Sequence, residues 1–351
     1  MTQNSIMIAM SGGVDSAVSA YLASRDRTAA GVTMRLVSEG VGCAEATLED
    51  VNGAAAVCQS LGLPHFVVDL GEDFRHRVVE PFVAAYEAGL TPNPCIFCNK
   101  AIKFGVLADF ATAHGFERIA TGHYARLERS NGRTLLRRAA DASKDQTYML
   151  WSLTQDVLSR AEFPLGDLSK AEARAIAAEQ GFPMAARKDS QDICFIPDGD
   201  YAGFMEGYTG RTPEEGDFVD KNGVVLGRHK GIIHYTIGQR KGLGIALGEP
   251  AFVCDKDPVT RRVVLGKNED LFTREVKLER VNLLSVESID TPMAVTARIR
   301  STHRGDAATV VMTGEDTATV TFDTLQRAIC PGQSCVFYDG DTVVGGGIIR
   351  A

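Results

Sequence analysis

Ile6-Met-Ile-Ala-Met10, followed at once by Ser11-Gly-Gly-Val-Asp-Ser16, decides how the rest of the chain is read. The apolar run ends abruptly in a polar turn with paired glycines, and a helical pattern through Ala17, Val18, Ala20, Tyr21 and Leu22 begins immediately. A strand, a loop and a helix are expected in that order. Gly12 and Gly13 permit positive φ and let a ligand approach the backbone closely. The first N–H groups of the helix have no partner within it and carry partial positive charge, which suits an anion. Ser11 and Ser16 add hydroxyl donors, and Asp15 can hold a cation that bridges phosphate oxygens.

The loop is not the G-x-x-x-x-G-K-S/T pattern, because no lysine precedes the helix, and it is not the dinucleotide G-x-G-x-x-G. It resembles the pyrophosphate loop, S-G-G-x-D-S, of the ATP pyrophosphatase superfamily. That resemblance implies cleavage of ATP between the α and β phosphates, with AMP transferred to an oxygen that becomes a leaving group. An ordinary two-glycine turn is the bland alternative. The agreement of loop, preceding strand and following helix favours the phosphate site.

At 351 residues the chain calls for two or three domains. No stretch approaches the roughly 18 apolar residues of a membrane span. With the first strand opening by about Ser5, a leader peptide has no room and a cytoplasmic protein is expected. Eight cysteines in so long a cytosolic chain argue against a disulfide framework. Net charge is −8, which alone disfavours a polyanionic partner, but the charge is uneven. Lys221 to Gly305 carries a net +6 and the remainder −14. An acidic catalytic half joined to a basic second half suits a nucleic acid gripped mainly by the second, although a mixed solvated surface has the same composition.

Up to about Ala120 the pattern is α/β. Strand-like runs at Ala29–Met34, His65–Leu70 and Arg118–Ala120 alternate with helical stretches near Leu48–Leu61, Phe74–Ala88 and Ala101–His114. Such alternation predicts a parallel sheet with ligands at the carboxyl ends of its strands. Met34, ending the second strand, and Gly122, following the fourth, are expected beside the Ser11–Ser16 loop. A hairpin, Tyr124–Arg129 with Arg133–Arg138, is turned by Ser130-Asn-Gly132. Ser169-x-x-Glu172 reads as a capping box and Gly181 as the stop of its helix. Past Pro197 short β-branched runs alternate with Gly, Asp and Asn turns, including Lys-Asn-Gly223 and Asp-Lys-Asp-Pro258. Runs at Val276–Leu284, Met293–Arg300, Ala308–Met312, Thr317–Phe322, Ser334–Tyr338 and Thr342–Ile349 predict a C-terminal antiparallel barrel or sandwich. The expected organisation is a parallel-sheet catalytic domain over 1–200, a small mostly β domain over 201–268 and an antiparallel β-barrel over 269–351.

Thr91-Pro-Asn-Pro-Cys-Ile-Phe-Cys-Asn-Lys100 is the second informative stretch. Two prolines stiffen the approach to Cys95, and a helix pattern through Ile102, Phe104, Val106 and Leu107 is read as starting just after Cys98. A thiol near a helix N-terminus, with Lys100 and Lys103 close by, favours its thiolate. Cys194 stands alone, and Lys188, Asp189, Ser190 and Asp192 make its surroundings read as a polar loop.

Several ordered motifs now combine: Ser11-Gly-Gly-Val-Asp-Ser16, Thr91-Pro-Asn-Pro-Cys95 with Cys98-Asn-Lys100, Thr121-Gly-His-Tyr124, Lys144-Asp-Gln146 and Asp189-Ser with Ile193-Cys-Phe195. His234-Tyr-Thr-Ile-Gly-Gln-Arg-Lys-Gly-Leu-Gly244, Pro331-Gly-Gln333 and Gly345-Gly-Gly-Ile-Ile349 complete the set. Together, from near Ser5 to the end, they resemble the tRNA-specific 2-thiouridylases. The resemblance implies ATP-dependent sulfur insertion at C2 of the wobble uridine of certain tRNAs, with the C2 oxygen activated as an adenylate and Mg²⁺ spreading charge on the phosphates. By the same resemblance Cys194 carries a persulfide and Cys98 is the nucleophile. Attack of one thiol on the persulfide's inner sulfur would leave a Cys98–Cys194 disulfide to be reduced before the next cycle.

Carried over residue by residue, Ala9, Met10, Ser11, Gly12, Gly13, Val14, Asp15, Ser16, Met34 and Gly122 would line the ATP site. Asn93, Pro94 and Cys95 would contact the target base, which must leave the anticodon stack to be reached. Lys144, Asp145, Gln146, Arg300 and Ser301 would contact tRNA, with His123 and Gln333 nearby. The sulfur donor is expected to be a cysteine desulfurase, directly or through a relay, and no membrane is expected as partner. Members of the family often carry aspartate where Cys95 stands and an aromatic residue where Ser301 stands. Cys95 is therefore not required as a thiol, and base stacking at Ser301 is disfavoured.

Other readings remain open on sequence. Zinc wants four ligands, and Cys330 with Cys335 makes no suitable second pair. A 4Fe–4S cluster on Cys95, Cys98 and Cys194 with one open iron would replace the persulfide route, and both schemes use Cys98 and Cys194. GMP, NAD and argininosuccinate synthetases share the ATP step but have no use for the two thiols. A nucleotide-regulated RNA-binding protein would keep the basic half without them. Single residues also have plain readings: His123 as a satisfied histidine at a strand end, His76 and His114 as surface or packing groups, Cys58 as core, and Ser38–Gly42 before Cys43 as a loop. Gly238–Gly244 reads as a basic, glycine-rich segment suited to phosphates, or as a turn between strands.

Overall fold

The strand β1 (Ser5–Ala9) is buried along its whole length, which explains why its sequence is continuously apolar rather than alternating. Side chains alternate between faces: Met7 and Ala9 join one hydrophobic core, and Ile6, Ile8 and Met10 the other. The computed structural model describes residues 5–36, 48–185 and 193–350. The expectations for Ser38–Gly42, Cys43, Lys188, Asp189, Ser190 and Asp192 lie outside those residues.

Along the chain follow β2 (Thr28–Arg35), β3 (His65–Asp69), β4 (Arg118–Ala120), the hairpin β5 (Ala125–Ser130) and β6 (Arg133–Arg138), and the two-residue β7 (Ala161–Glu162). The parallel sheet has the order β3-β2-β1-β4-β7. Its register sets Ala9 opposite Val32 and Ile8 opposite Ala120. The chain winds to one side of β1 through β2 and β3, then crosses to the other side for β4. The crevice of such a sheet opens where the winding reverses, at the carboxyl end of β1, directly under the Ser11–Ser16 loop.

Two helical stretches differ from expectation. Residues 71–87 run through a π-helical turn, Arg75–Val79, between the α-helices Gly71–Phe74 and Glu80–Glu87. The helix expected after Cys98 begins earlier, as Pro94–Cys98, and continues through π-helical Asn99–Val106 into Leu107–Ala113. Pro94 stands at the first helical position, where its missing N–H costs nothing. Asn93 caps the turn by accepting the Cys95 N–H at 3.1 Å. Cys98 therefore closes the first turns instead of preceding them.

The β5–β6 turn has Asn131 and Gly132 at φ 49° and 77°, the double positive pair that matches strand twist in a two-residue hairpin. This hairpin leaves the parallel sheet and extends the C-terminal one, with Arg137 opposite Thr342. After the helix Tyr201–Thr209, a four-stranded sheet forms from β8 (Gly216–Val219), β9 (Val225–His229), β10 (Phe252–Asp257) and β11 (Arg262–Gly266), in the order β10-β11-β8-β9.

The last strands are β12 (Phe272–Leu283), β13 (Met293–Arg298), β14 (Asp306–Met312), β15 (Ala318–Arg327), β16 (Ser334–Asp339) and β17 (Thr342–Ile349). They run β12-β15-β14-β13-β16-β17, and β12 pairs with β17 to close a six-stranded antiparallel barrel. Val276, Leu278, Val310, Val320, Phe322 and Phe337 fill it. The expected α/β, mostly β and antiparallel-barrel units are all present. Among the described residues no helix is long and apolar enough to cross a membrane.

Candidate active site

Ser16 closes the loop after β1 on itself. Its Oγ accepts from the Ser11 N–H at 3.1 Å and lies 3.3 Å from the Ser11 Oγ, while donating to the Gly13 carbonyl at 2.9 Å. The helix Val14–Ala23 starts at Gly13 with no side-chain cap, so its leading N–H groups are left to a ligand. Gly122, after β4, lies against this turn: a Cβ there would sit 3.1 Å from the Asp15 carbonyl carbon and 3.2 Å from the Ser16 nitrogen. The glycine lets the two strand ends meet.

A cleft of about 460 Å³ opens over the loop, a size that suits a nucleotide. Ala9, Met10, Ser11, Gly13, Val14, Asp15, Ser16, Met34 and Gly122 line it, as do His123, Lys144, Asp145 and Gln146. Six further residues line it that the sequence did not place there: Asp50, Lys103, Thr121, Tyr124, Ser143 and Lys170. The Lys170 ammonium lies 2.8 and 2.9 Å from the two Asp15 carboxylate oxygens, and the Tyr124 hydroxyl donates to Asp15 at 2.9 Å. A lysine from far along the chain thus stands on the loop's aspartate. Asp15, the loop hydroxyls and the helix N-terminus form an oxygen-and-cation set that fits a Mg²⁺-bound triphosphate.

His123 is buried, with Nδ1 2.7 Å from the Thr121 Oγ1 and its ring among Phe104 and Phe163. Burial holds its pKa well below the ordinary imidazole value, and repulsion from Lys103 adds to this. It is a neutral, satisfied histidine on the cleft wall. Gln146 accepts the Tyr124 N–H at 2.8 Å. Asp145 turns its Oδ2 away to the Arg298 guanidinium of β13 at 3.0 Å, with both side chains nearly sealed from water.

The helix bearing Cys98 is bolted to the segment that continues from Gln146. Asn93 Nδ2 reaches the Met149 sulfur at 3.3 Å, and Asn99 Nδ2 donates to the Met149 carbonyl at 3.0 Å. Cys95 is exposed, Pro94 buried, and Cys98 buried in the core that includes Ile96, Ile102 and Phe104. Half-buried Cys194 packs on that same core. Beside it Phe195 inserts among Phe74, Phe82 and Phe204, with ring centroids 5.5, 5.4 and 5.1 Å away. Cys58 and Cys335 are spectators, pushed by burial up to about 11 and about 12.

The barrel residues lie apart from the cleft lining. Arg300 is exposed, and Ser301 is half-buried with its carbonyl held by Arg298. Gln333 donates to the Thr91 carbonyl at 2.8 Å, and the Thr91 N–H to the Pro331 carbonyl at 2.8 Å. The barrel therefore grips the approach to Asn93. Arg240 and Lys241 are exposed on a loop anchored by buried Leu243. His76 is exposed beside Glu80 at 3.0 Å, and His114 is exposed with Nδ1 2.8 Å from the Phe110 carbonyl, both surface groups as expected.

Three family models match in succession: a tRNA methyl transferase HUP domain over residues 4–198, a tRNA methyl transferase PRC-barrel domain over 202–267 and an aminomethyltransferase beta-barrel domain over 273–349. Relatives match across nearly their whole length. The tRNA-specific 2-thiouridylase MnmA of Lachnoclostridium phytofermentans is 47% identical over 354 residues, covering 98% of this chain and 99% of that one. Its namesake in Clostridioides difficile is 46% identical, covering 98% of both chains. The chain belongs to the tRNA-specific 2-thiouridylase family. The namesake in Clostridium acetobutylicum, 44% identical over 98% of this chain and 99% of that one, repeats the match.

The residues of the Ser11–Ser16 loop were visible in the sequence because they are contiguous. Lys170 and Tyr124 were not, since 155 and 109 residues separate them from Asp15. The only local signal near Lys170 was the capping box that begins at Ser169.

Proposed function

We propose that the protein is an ATP-dependent tRNA-uridine 2-sulfurtransferase acting on the wobble uridine. One observation carries this reading: a phosphate-loop cleft is tied through Met149 to the helix bearing Cys98, in a chain that aligns end to end with 2-thiouridylases. In this reading residues 1–200 carry the chemistry, 201–268 form a connector and 269–351 grip the tRNA. Arg300, Ser301 and Gln333 serve that grip, and Asn93 to Cys95 meet the flipped base.

The uridine C2 oxygen attacks the α-phosphorus and pyrophosphate leaves, so that C2 carries AMP. Helix N–H groups and cleft lysines stabilise the charge on the leaving group; Mg²⁺, held at Asp15, spreads that charge further when bound. The terminal sulfur of a Cys194 persulfide, loaded by a cysteine desulfurase or relay, then adds to C2 and AMP departs. Cys98 attacks the inner sulfur, breaking the S–S bond and releasing the thiocarbonyl. The Cys98–Cys194 disulfide takes two electrons to reset. Among the described residues no group of three or more His, Cys, Asp or Glu converges as a metal site. No observation therefore favours a 4Fe–4S cluster on Cys95, Cys98 and Cys194, and no step of this reading runs through one.

Two measurements on the full chain test this. Pyrophosphate release from ATP is expected to depend on tRNA; release without it, or none at all, points to another enzyme or to a regulated binding protein. Cys194→Ser is expected to release pyrophosphate yet make no thiolated base. A Cys194→Ser variant that thiolates normally contradicts the scheme.

A further inference from the structure

We propose that Lys170 is the cation of the pyrophosphate subsite, contacting the β- and γ-phosphates of ATP and the pyrophosphate that leaves. This rests on reading the cleft as an ATP site. Its ammonium lies 2.8 and 2.9 Å from the two oxygens of Asp15, itself in the first turn of the helix that opens from the phosphate loop. Only 13% of the Lys170 side chain is exposed, and the residue lines the cleft.

The lysine is also held from behind. Ser169 and Glu172 cap the start of its helix reciprocally, and the Lys170 N–H donates to Asp141 Oδ2 at 3.2 Å. The other oxygen of Asp141 accepts the Ser143 N–H at 3.0 Å and its hydroxyl at 2.6 Å. Ser143 lines the cleft. The start of this helix and one lip of the cleft therefore share a single carboxylate and stay in register.

Charge balance explains why a cation is needed at this point. Asp15 is a fixed negative charge beside a loop that must receive a polyanion, and its repulsion has to be cancelled. With Lys170 on it the pair is neutral. Asp15 would hold Mg²⁺ when the ion is bound, and Lys170 beside it would then offer its charge to the phosphates. Lys103 and Lys144 also face the cleft, but Lys170 is the lysine lying on the loop's own aspartate. It fills the place that the loop motif of other nucleotide enzymes gives to its own lysine.

The test is titration calorimetry of the full-length protein with Mg²⁺ and, separately, ATP, pyrophosphate and AMP, for wild type, Lys170→Met and Lys170→Gln. Both variants are expected to bind ATP and pyrophosphate about tenfold or more weakly, with AMP affinity unchanged. A purely structural lysine would lower all three together, because the loop itself would shift. Equal losses for AMP and ATP, or no loss for ATP, in either folded variant would overturn the proposal. Wild type that binds no ATP would instead remove the reading of the cleft itself, and the proposal with it.

Discussion

Gly12 holds φ at +73°, and a Cβ there would lie 2.7 Å from the Asp50 carbonyl oxygen. Gly12→Ala meets both obstacles at once: left-handed backbone, costing about 1–2 kcal/mol, and a collision with backbone that has no flexible end to yield. The expected result is a lower urea midpoint together with weaker ATP binding; a variant with unchanged affinity would mean that the loop is not the phosphate seat. His123 gives a pH prediction. Burial holds its folded pKa well below the ordinary 6.5, so the folded form binds no proton over a range where the unfolded chain does. Stability from this group is therefore present above about pH 6.5 and lost as pH falls, by about 1 kcal/mol at pH 5.5. Burial also lowers His65, His229, His234 and His303, so the informative quantity is the difference between wild type and His123→Gln. Urea unfolding from pH 7.5 to 5.5 should fall less steeply for the variant, and parallel curves would rule the assignment out. These residues also mark the limit of legibility. Ser11 to Ser16 could be read because six neighbours do one job, whereas the ion pair of Asp15 with Lys170 spans 155 residues and leaves no local trace.

Elements were legible where a local rule governs them. Asn131-Gly132 announced the β5–β6 hairpin, because few residues tolerate its two positive φ values. Its place beside β17 was not legible, since alternation tells which face of a strand is buried and not which strand lies alongside. The two residues of β7 are too few to show a period. In residues 94–113 the apolar repeat was read from about Ala101, inside the π-helical stretch Asn99–Val106, and the five-residue Pro94–Cys98 ahead of it, too short to show a period, was missed. The helix Lys170–Glu179 is the opposite case: its capping box was read and is present, Ser169 N–H to Glu172 at 2.7 Å and Glu172 N–H to Ser169 at 3.2 Å. Ser169→Ala removes the acceptor and should cost about 1 kcal/mol in urea unfolding. Because the same turn carries Lys170, the variant should also raise KM for ATP. A stability loss with KM unchanged would separate the cap from the cleft.

At the scale of the whole molecule, the barrel and the cleft are joined across a buried seam. Tyr148 donates to the Ser334 carbonyl at 2.7 Å, Trp151 to the Ser334 hydroxyl at 3.0 Å, and Asn282 to the carbonyls of Trp151 and Leu153 at 2.8 and 2.9 Å. Arg298 ties that seam to the wall of the cleft. Its guanidinium binds Asp145 at 3.0 Å, the His303 carbonyl at 2.7 Å and the Ser301 carbonyl. One side chain thus fixes the barrel loop bearing Arg300 and Ser301 to the Lys144–Gln146 strip of the cleft, with only 11% of Arg298 and 4% of Asp145 exposed. Cutting a pair so buried strands a charge, at a cost of about 3–5 kcal/mol. Arg298→Met should therefore unfold at lower urea, and Asp145→Leu likewise. The double variant leaves no stranded charge, so it should be more stable than the sum of the single losses implies, by at least about 1 kcal/mol. Function should separate along the same line. ATP binding without tRNA draws on the loop and Lys170, neither of which Arg298 contacts, and should change little in Arg298→Met. Pyrophosphate release at limiting tRNA needs the barrel loop and the cleft in register, and should fall by about tenfold or more, the cost of one lost charge-assisted contact. Strictly additive stability losses, with tRNA-dependent release intact, would mean that Arg298 merely packs between the units and does not align them.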